Sequence, residues 1–462
     1  MTELGLAAFV IGLLAIGLRR PFAWVLAYLY IDILAPQKFT WMILPKLQIS
    51  LVAFVLAFGG WLLIDDKRDS RFTFRQALLL VLLVYCGLTT LSADFPVEAA
   101  EKWGWVWKAM IFSIFLPLTL RTRLRFEAAI TVMILSIGAI VIGGGIKTLA
   151  SGGGYGSLKL FVNDNTGIYE GSIISCVAVA AIPLIWWVAQ HTTIFPRGKL
   201  TKLFALALTF ACIMMPVGTQ ARTGLLCLAL LFLLSLRSVK NRFLYIGVMG
   251  FLAMVAIPFL PESYTKRMDT IENHQADESA STRVAVWMWT LDYVKDHPFG
   301  GGFDAFRSNR LRIETRAAST AGGNNTAVEV QQVEDAARAY HSSYFEMLGE
   351  QGWPGLFLWL WIQLLGIWHM ERLRARWIKK ARAPGAGPDV TWQAPLASAL
   401  QQAHLVYMLG SLFVGIAFQA FILMLIGIQC GLWSYLRRVD SPDRPTLRTP
   451  RKLNIPGAVA AN

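Results

Sequence analysis

Apolar runs dominate this sequence, and most of them are 16 to 20 residues long. A helical run of that length spans, or nearly spans, the hydrocarbon core of a lipid bilayer. Because backbone polar groups in lipid must bond within the protein, only helices and closed barrels span membranes. The short alternating strands of a barrel do not occur in the sequence, and 55% of the 462 residues are hydrophobic. The sequence therefore predicts an all-α polytopic membrane protein.

The runs predict twelve or thirteen membrane crossings. Spans are expected at residues 3–18, 22–35, 48–64, 76–92, 103–120, 127–146, 171–189, 203–218, 224–236, 243–260 and 353–370. The run 397–436 is too long for one span and has basic residues on both sides, so we expect it to cross twice with a break near residues 415–419. The lower count applies if the first two short runs form a re-entrant hairpin.

Basic residues are concentrated in short loops between these runs. Of the 43 Lys and Arg residues, 27 lie in the segments 19–20, 65–75, 121–125, 196–202, 237–242, 371–382 and 437–452. Loops with this excess of positive charge usually face the cytoplasm. The net charge of +14 therefore reflects membrane orientation, and no nucleic-acid partner is expected. The remaining connections are expected to face the periplasm or the exterior; they are 36–47, 93–102, 147–170, 219–223 and 261–352.

The sequence divides into regions that differ in hydrophobicity and charge. They are an N-terminal transmembrane region (1–146), a central transmembrane region with an outward Gly-rich loop and an Arg turn (147–260), a large periplasmic loop domain (261–352), C-terminal transmembrane helices (353–436) and a basic cytoplasmic tail (437–462). Within the large loop, residues 279–296 have the Ser/Thr-rich start and apolar spacing of a helix. A Pro/Gly turn is expected at 297–306, and the Ala/Thr/Gly/Asn-rich stretch 317–337 is expected to be mobile. Helical periodicity returns at His341.

Two arginines fall on the predicted outward face. Arg222 lies in GTQARTG, a tight turn between two short spans, and Arg283 lies early in the loop helix. Arg222 is either an interfacial arginine that reaches lipid phosphates or part of an anion clamp, for which a guanidinium offers a rigid donor fork. Arg283 either pairs with an acidic neighbour such as Glu278 or belongs to the same clamp. The residues alone leave both alternatives open.

His341 is the candidate for proton transfer. An imidazole has an ordinary pKa near ~6.5 and can accept a proton from a hydroxyl at neutral pH. The alternative is an interfacial histidine with no part in chemistry. At helical spacing Arg338, His341, Tyr344, Phe345 and Leu348 share one side, which would be apolar below and cationic or polar above.

A divalent metal site is not predicted. No DxD-type pair or HExxH-type cluster occurs, the six histidines are scattered, and the five cysteines fall inside apolar runs. The glycine-rich stretch 152–167 lacks the GK[ST] of a phosphate-binding P-loop. Its Asn163, Asp164 and Asn165 could instead line a polar pocket above a span. If the site neutralises phosphate charge, arginines must do so.

The order of four stretches resembles the O-antigen ligase/polymerase superfamily of bacterial envelope enzymes. They are VNDNTG (162–167), TQARTG (219–224), SASTRVAVWMWTLDYVKDHPFGGGF (279–303) and HSSYFEMLGEQGWPGLFL (341–358). The last two are the most specific, since they contain an Arg-bearing helix, an HP-x-G-x-G-F turn and H-x-x-Y-x-x-x-L-x-E-x-G before a span. The N-terminal stretch 19–41 further resembles the exosortase-associated O-glycosylation ligase branch.

The resemblance implies a glycosyltransferase of GT-C-like architecture in the bacterial inner membrane, with its active site facing the periplasm. The donor would be a glycan linked to undecaprenyl pyrophosphate, and the acceptor a hydroxyl of lipid A-core, protein Ser/Thr or polysaccharide. Transfer would be inverting and metal-independent, with no cofactor, and membrane lipids would surround the protein. By motif match Arg222 and Arg283 hold the pyrophosphate and His341 is catalytic. The possible substrate pocket adds Asn163, Asp164, Asn165, Arg338 and Tyr344.

Other functions remain open at this point. A Wzy-type polymerase uses another lipid-linked glycan as acceptor and would need the same arginines and histidine. A lipid-linked-glycan transporter or flippase must expose a charged cavity to both faces, whereas the candidate charges here lie on the outer face. The sequence also lacks the mid-membrane charged relays and repeated halves that are typical of secondary transporters.

Overall fold

A computed structural model describes residues 2–36, 48–67, 71–151, 167–237, 239–256, 278–319, 327–385, 387 and 390–440. These residues form long α-helices and one β-hairpin. The helices are α1 (Thr2–Arg19), α2 (Phe22–Leu34), α3 (Ile49–Leu63), α4 (Phe74–Leu91), α5 (Pro96–Thr119), α6 (Arg123–Ser151), α7 (Gly171–His191), α8 (Lys199–Thr219), α9 (Arg222–Ser235), α10 (Arg242–Ala256), α11 (Glu278–Asp296), α12 (Ser343–Ala381), α13 (Gln393–Gly410) and α14 (Ala420–Val439). The strands are β1 (Arg310–Ser319) and β2 (Ala327–Ala336).

The prediction of an all-α polytopic membrane protein is confirmed. Among the described residues, five helices are long and apolar enough to cross a membrane, namely α4, α6, α7, α8 and α14, and α1, α2, α3 and α9 are shorter apolar helices. The run 397–436 divides into α13 and α14 with residues 411–419 between them, as its length predicted. The loop helix expected at 279–296 is α11. The number of crossings stays a prediction.

The β-hairpin was not predicted. β1 pairs with β2 antiparallel, with a register that runs from Arg310 opposite Ala336 to Ser319 opposite Ala327. Residues 317–319 and 327–336 of this hairpin belong to the stretch 317–337, for which composition predicted mobility. The missed signal is the alternation of Leu311, Ile313 and Thr315 in β1, since period-two spacing of apolar and β-branched residues indicates a strand.

Basic connections between helices meet at one end of the helix bundle. Asp65, just after α3, bonds to Arg121 at 3.0 Å and to Arg125 at 2.6 Å, and these arginines flank the start of α6. Arg237, just after α9, reaches Glu371 in the last third of α12 at 2.5 Å. We call this the basic end, because Arg121, Arg125 and Arg237 lie there.

The alternate connections meet at the opposite end. The backbone N–H of Asp94, between α4 and α5, donates to the carbonyl of Gly301 at 2.9 Å. Gly301 N–H in turn donates to the carbonyl of Gly349 in α12 at 3.0 Å, and Ser343 N–H donates to the carbonyl of Ser411, after α13, at 2.8 Å. We call this the site end, because the candidate residues described below lie there.

A kink at Gly352 divides α12. Its φ of 63° and ψ of −169° are not helical, and a Cβ there would lie 2.3 Å from the carbonyl oxygen of Pro298. The backbone of Gly300, at φ +84°, approaches so closely that a Cβ would lie 2.4 Å from the carbonyl oxygen of Glu350. Only glycine tolerates both conditions, which explains the glycines of HP-x-G-x-G-F and E-x-G. The span predicted from Trp353 begins immediately after this kink.

A buried polar chain ties α4 to the three C-terminal helices. Arg75, at the start of α4, donates from Nε to the carbonyl of Ile362 at 2.8 Å and from Nη1 to Oε1 of Gln429 at 2.7 Å. The Gln429 amide contacts Nδ1 of His404 at 3.2 Å, and Nε2 of His404 contacts Oε1 of Gln363 at 2.8 Å. Without these bonds each polar group would be buried with no hydrogen-bond partner, which is unfavourable in an apolar interior. The chain of bonds therefore holds α4, α12, α13 and α14 in register.

Candidate active site

The turn that carries Arg222 is a helix ending followed at once by a helix start. α8 ends at Thr219, Gln220 takes the left-handed conformation with φ 53°, and α9 begins at Arg222. Position 224 requires a glycine, because a Cβ there would lie 2.6 Å from Cγ of Pro216 in the last turn of α8. The motif TQARTG is therefore the sequence of a close helical hairpin, with Arg222 half-buried at its tip.

This hairpin packs on the first turns of α7. The hydroxyls of Ser175 and Thr219 are 2.8 Å apart, and a Cβ on Gly224 would lie 2.9 Å from Cβ of Ser175. Glu170 precedes α7 as its N-cap residue, about one and a half turns before Ser175. The turn of Arg222 and the carboxylate of Glu170 therefore lie at the same end of α7.

Arg283 lies in α11 near both Glu170 and His341. Burial raises the pKa of Glu170, and the positive charge of Arg283 opposes that rise. One turn after Arg283, Trp287 donates from its indole N–H to the carbonyl of Tyr340 at 2.9 Å. This face of α11 is therefore the one that meets the chain beside His341.

His341 is held in an uncommon backbone conformation. Its φ is 47°, a left-handed conformation that few non-glycine residues adopt and that is often found at functional sites. Partial loss of water around the ring lowers its pKa below the usual value, and the positive charges of Arg283 and Arg338 lower it further. The side chain is exposed at the surface of the site end. A neutral, accessible imidazole at neutral pH follows.

The structure corrects the predicted start of the helix at His341. α12 begins at Ser343, so helical spacing does not relate Arg338, His341 and Tyr344. The backbone of Arg338 is bound instead by Asn309, whose side-chain amide donates to the Arg338 carbonyl at 2.7 Å and accepts from its N–H at 3.0 Å. These contacts hold the chain before Ser342 in an irregular, non-helical conformation. Arg338 is brought near His341 by this tertiary contact and not by a shared helix face.

Of the remaining predicted pocket residues, the structure describes Tyr344. The Tyr344 hydroxyl donates to the carbonyl of Met408 at 3.2 Å, and its ring packs edge-on against Trp359 at 5.3 Å between centroids. Tyr344 therefore joins α12 to α13, and its contact with substrate stays a prediction. Asn163, Asp164 and Asn165 lie outside the described residues.

A buried ion cluster beside the site was missed by the sequence analysis. Nζ of Lys102, in α5, lies 2.7 Å from Oε1 of Glu346 and 2.8 Å from Oε1 of Glu350, and the Glu350 side chain is fully buried. The available signal was the pair of glutamates one helical turn apart in an otherwise apolar helix start. Lys102 lies at the edge of the predicted span 103–120, so its pairing with these glutamates was not predicted.

The same carboxylates also accept backbone hydrogen bonds. Oε2 of Glu346 accepts from the N–H of Ala417 at 3.2 Å, and Oε1 of Glu350 accepts from the N–H of Asp304 at 3.0 Å. Lys102 and its partners therefore join α5, the start of α12, the connection between α13 and α14, and residues 297–306, which we call the glycine turn. His341 lies five residues before Glu346.

Metal-ligating side chains do not gather at this site. Within the part of the chain that the structure describes, no three His, Cys, Asp or Glu side chains are placed to hold a metal ion. The positively charged groups that act on His341 are the guanidinium groups of Arg283 and Arg338.

Comparison with known families identifies the region to which these residues belong. Residues 205–360 match the family model described as O-Antigen ligase. We call this matched region the O-antigen ligase domain. The predicted membership of the O-antigen ligase superfamily is thereby confirmed, and it supports a membrane function of the ligase or polymerase type. The exosortase-associated branch stays a prediction.

The N-terminal part of the chain matches a different family. Residues 1–193 match a family of unknown function, DUF5935. No curated protein matches the chain. Arg222, Arg283 and His341 all belong to the O-antigen ligase domain, whereas Glu170 and Lys102 come from the N-terminal region. The ion cluster therefore joins the two matched regions.

We expect Lys102→Met to destabilise the protein by about 3–5 kcal/mol, because two buried carboxylates would lose their counter-charge. Thermal unfolding of the detergent-purified protein measures the effect. A second change, Glu350→Gln, should recover part of the loss in the Lys102→Met background. Lys295→Met, which removes an exposed lysine paired with Asp292, is the control and should leave the unfolding midpoint nearly unchanged. An unfolding midpoint equal to that of the unaltered protein in Lys102→Met would show that the cluster does not anchor the fold.

We expect the imidazole of His341 to titrate below the ordinary value of ~6.5, since partial burial and two guanidinium groups favour the neutral form. Removing one positive charge with Arg338→Gln should raise the midpoint towards that value. Carbon-13 NMR of labelled histidine, assigned by the signal lost in His341→Gln, measures it. Arg310→Gln is the matched control, since it removes another exposed arginine of the same segment. A midpoint above the ordinary value, or one that Arg338→Gln leaves in place, would contradict the inferred surroundings.

Proposed function

We propose that the protein is a membrane glycosyltransferase that passes a glycan from undecaprenyl pyrophosphate to a hydroxyl acceptor at the periplasmic side of the bacterial inner membrane. The observation that carries the proposal is the electrostatic contact of Arg283 with His341 within an O-antigen ligase domain. The Arg222 turn lies at the same end of α7 as Glu170, the other ionisable neighbour of Arg283. Cationic groups and a neutral imidazole thus belong to one end of the bundle.

The chemistry requires a stabilised leaving group. In the proposed step the acceptor oxygen forms a bond to the anomeric carbon while the bond from that carbon to the pyrophosphate oxygen breaks. The electron pair leaves with the pyrophosphate, whose growing negative charge Arg222 and Arg283 neutralise through charge-assisted hydrogen bonds. A single displacement of this kind inverts the anomeric centre, and it needs no metal if the arginines carry the charge.

The acceptor proton needs a base near the attacking oxygen. His341 takes this role in the proposal, because its lowered pKa keeps the imidazole neutral and ready to accept a proton at pH 7. Its neighbours Arg283 and Arg338 disfavour the protonated ring, so proton acceptance and charge stabilisation are coupled. Departure of the anionic product would remove negative charge from the site and return the imidazole to its neutral state.

Several acceptors fit the same chemistry. A hydroxyl of lipid A-core would make the protein a ligase of lipopolysaccharide, a protein Ser/Thr would make it an O-glycosylation enzyme, and a lipid-linked glycan would make it a Wzy-type polymerase. The ligase is preferred here because the matched domain is described as O-Antigen ligase. In a deletion strain, loss of a ligase leaves complete glycan on the lipid carrier, whereas loss of a polymerase leaves single repeat units there.

A transporter of lipid-linked glycan is the alternative from another class. Alternating access requires a binding site that both faces of the membrane can reach. The motif residues Arg222, Arg283 and His341 instead lie towards the site end and away from the basic end. This distribution favours a reaction at one face over transport between two.

We expect His341→Ala to lower glycan transfer by about 10²–10⁴-fold, the usual contribution of a general base, with the unfolding midpoint retained. The measurement is transfer from purified undecaprenyl-pyrophosphate-linked glycan in proteoliposomes. His297→Ala is the control, since this exposed histidine of the same segment stacks on Tyr293 at 4.2 Å and has no proposed role. Full transfer in the His341→Ala variant would contradict the catalytic role of His341. A transporter would be expected to tolerate this change.

We expect Arg222→Lys and Arg283→Lys each to weaken transfer by roughly 10- to 100-fold, because lysine keeps the charge but loses the two-pronged donor geometry. Arg310→Lys, which changes an exposed arginine of β1, should have little effect. The same assay in excess EDTA should give unchanged rates. Loss of activity in EDTA would reject the metal-free mechanism, and wild-type rates in both lysine variants would reject the clamp.

A further inference from the structure

A cavity of about 790 Å³ opens towards the basic end of the bundle, opposite the candidate active site. It lies among α7, α8, α9, α10, α12 and α13, and most of its wall is apolar; the wall includes Ile182, Trp186, Ile213, Leu228, Phe232 and Ile378. α7 and α8 are among the helices long and apolar enough to cross a membrane, so part of the wall belongs to membrane-spanning helices. The proposed transfer reaction does not use it.

The pyrophosphate of the proposed donor lipid, held at Arg222, would lie too far from the mouth of this cavity to bind there. α9 runs 14 residues from Arg222 at the site end to Ser235, which lines the cavity. At 1.5 Å per residue, about 20 Å separates the two ends of that helix. A pyrophosphate held by Arg222 therefore leaves the far end of the cavity free for another headgroup.

Polar and cationic groups surround the mouth of the cavity. His191 and Ser235 line it where α7 and α9 end, and Arg374 lines it from α12. Arg374 and Arg237 share one carboxylate, that of Glu371, at 2.8 and 2.5 Å respectively. Two guanidinium groups pair with one carboxylate, which leaves a net positive charge at the mouth.

A flanking segment adds to this positive charge. Val239, which lines the cavity, is followed by Lys240 and Arg242. Both basic side chains are exposed. An apolar interior with a cationic mouth suits an amphiphile whose head is negative, and it does not suit a soluble sugar or nucleotide.

We propose that this cavity binds one glycerophospholipid with an anionic headgroup, with an acyl chain along the apolar wall and the phosphate near Arg374. The bound lipid joins α7, α8 and α9 at the end opposite Glu170 and Arg222. Binding to the folded state alone stabilises it, and this stabilisation increases with lipid concentration.

A second cavity of about 510 Å³ provides an internal comparison. It lies between α6, α7 and α8, and its lining of apolar residues with two threonines includes Phe195, Leu200 and Phe204 but no charged residue. Acyl chains can occupy this space, but nothing in its lining selects a headgroup. Selectivity for an anionic lipid should therefore depend on the first cavity only.

The test uses the full-length protein, delipidated in detergent, with phosphatidylglycerol or phosphatidylethanolamine of identical acyl chains. Native mass spectrometry gives the bound stoichiometry and apparent Kd, and thermal unfolding gives the shift in Tm. We expect phosphatidylglycerol to bind more tightly and to raise Tm more. Thr209→Trp, which fills the first cavity, should abolish the difference between the lipids, whereas Leu200→Trp in the second cavity should preserve it.

A charge variant tests the headgroup contact separately from the cavity space. Arg374→Gln should weaken phosphatidylglycerol binding roughly fivefold, the effect of one basic residue near an anionic lipid. Arg372→Gln is the matched control, because this exposed arginine of the same helix stacks on Trp368 and does not line the cavity. Equal binding of the two lipids to the unaltered protein would overturn the proposal. So would a headgroup preference that persists in Thr209→Trp while that variant remains folded.

Discussion

The buried ammonium group of Lys102 is the charge around which the site end is assembled. An unpaired charge in an apolar interior costs several kcal/mol, so the lysine must keep its carboxylates close wherever the surrounding helices pack. Those carboxylates, on Glu346 and Glu350, also accept backbone N–H groups from the glycine turn and from the connection before α14. One cation therefore fixes the relative position of four segments. Because Lys102 belongs to the N-terminal matched region, the O-antigen ligase domain depends on that region for its own geometry.

The glycine turn adds a second constraint that charge alone would not supply. The backbone of Gly300 to Gly302 lies directly against the backbone of Gly349 to Gly352, with no side chain between them. Tyr85 of α4 closes the contact, since its hydroxyl lies 3.0 Å from a carbonyl oxygen on each side, those of Phe299 and Gln351, and shares its one proton between them. Contacts this close require glycine, so the two most specific stretches of the sequence turn out to be the two halves of one interface. The glycines of this interface position the chain near His341 without contributing a reacting group.

Much of the fold could be predicted from the sequence because hydrophobic run length and the bilayer leave few alternatives. The helices, the break at 411–419 and the loop helix α11 all followed from local patterns. The start of α12 did not, because Asn309 and Ser411 bind the backbone on either side of His341 through contacts distant in sequence. The ion cluster was missed for the same reason: Lys102 and Glu346 are 244 residues apart. Motifs therefore indicated which residues matter, and only tertiary contacts determined how they are placed.

The kink at Gly352 has a mechanical consequence in a polytopic membrane protein. The carbonyls of Gly349 and Glu350 bond to the glycine turn, so the short first part of α12 is fastened to the site end independently of the membrane helix that follows. A bilayer that thickens or thins changes the tilt of its spanning helices. The N–H of Trp353 also donates to the carbonyl of Pro298 at 3.0 Å, so the chain is fastened to this turn on both sides of Gly352. We therefore expect a tilt of the following helix to be taken up beyond Trp353, which leaves the chain next to His341 in place.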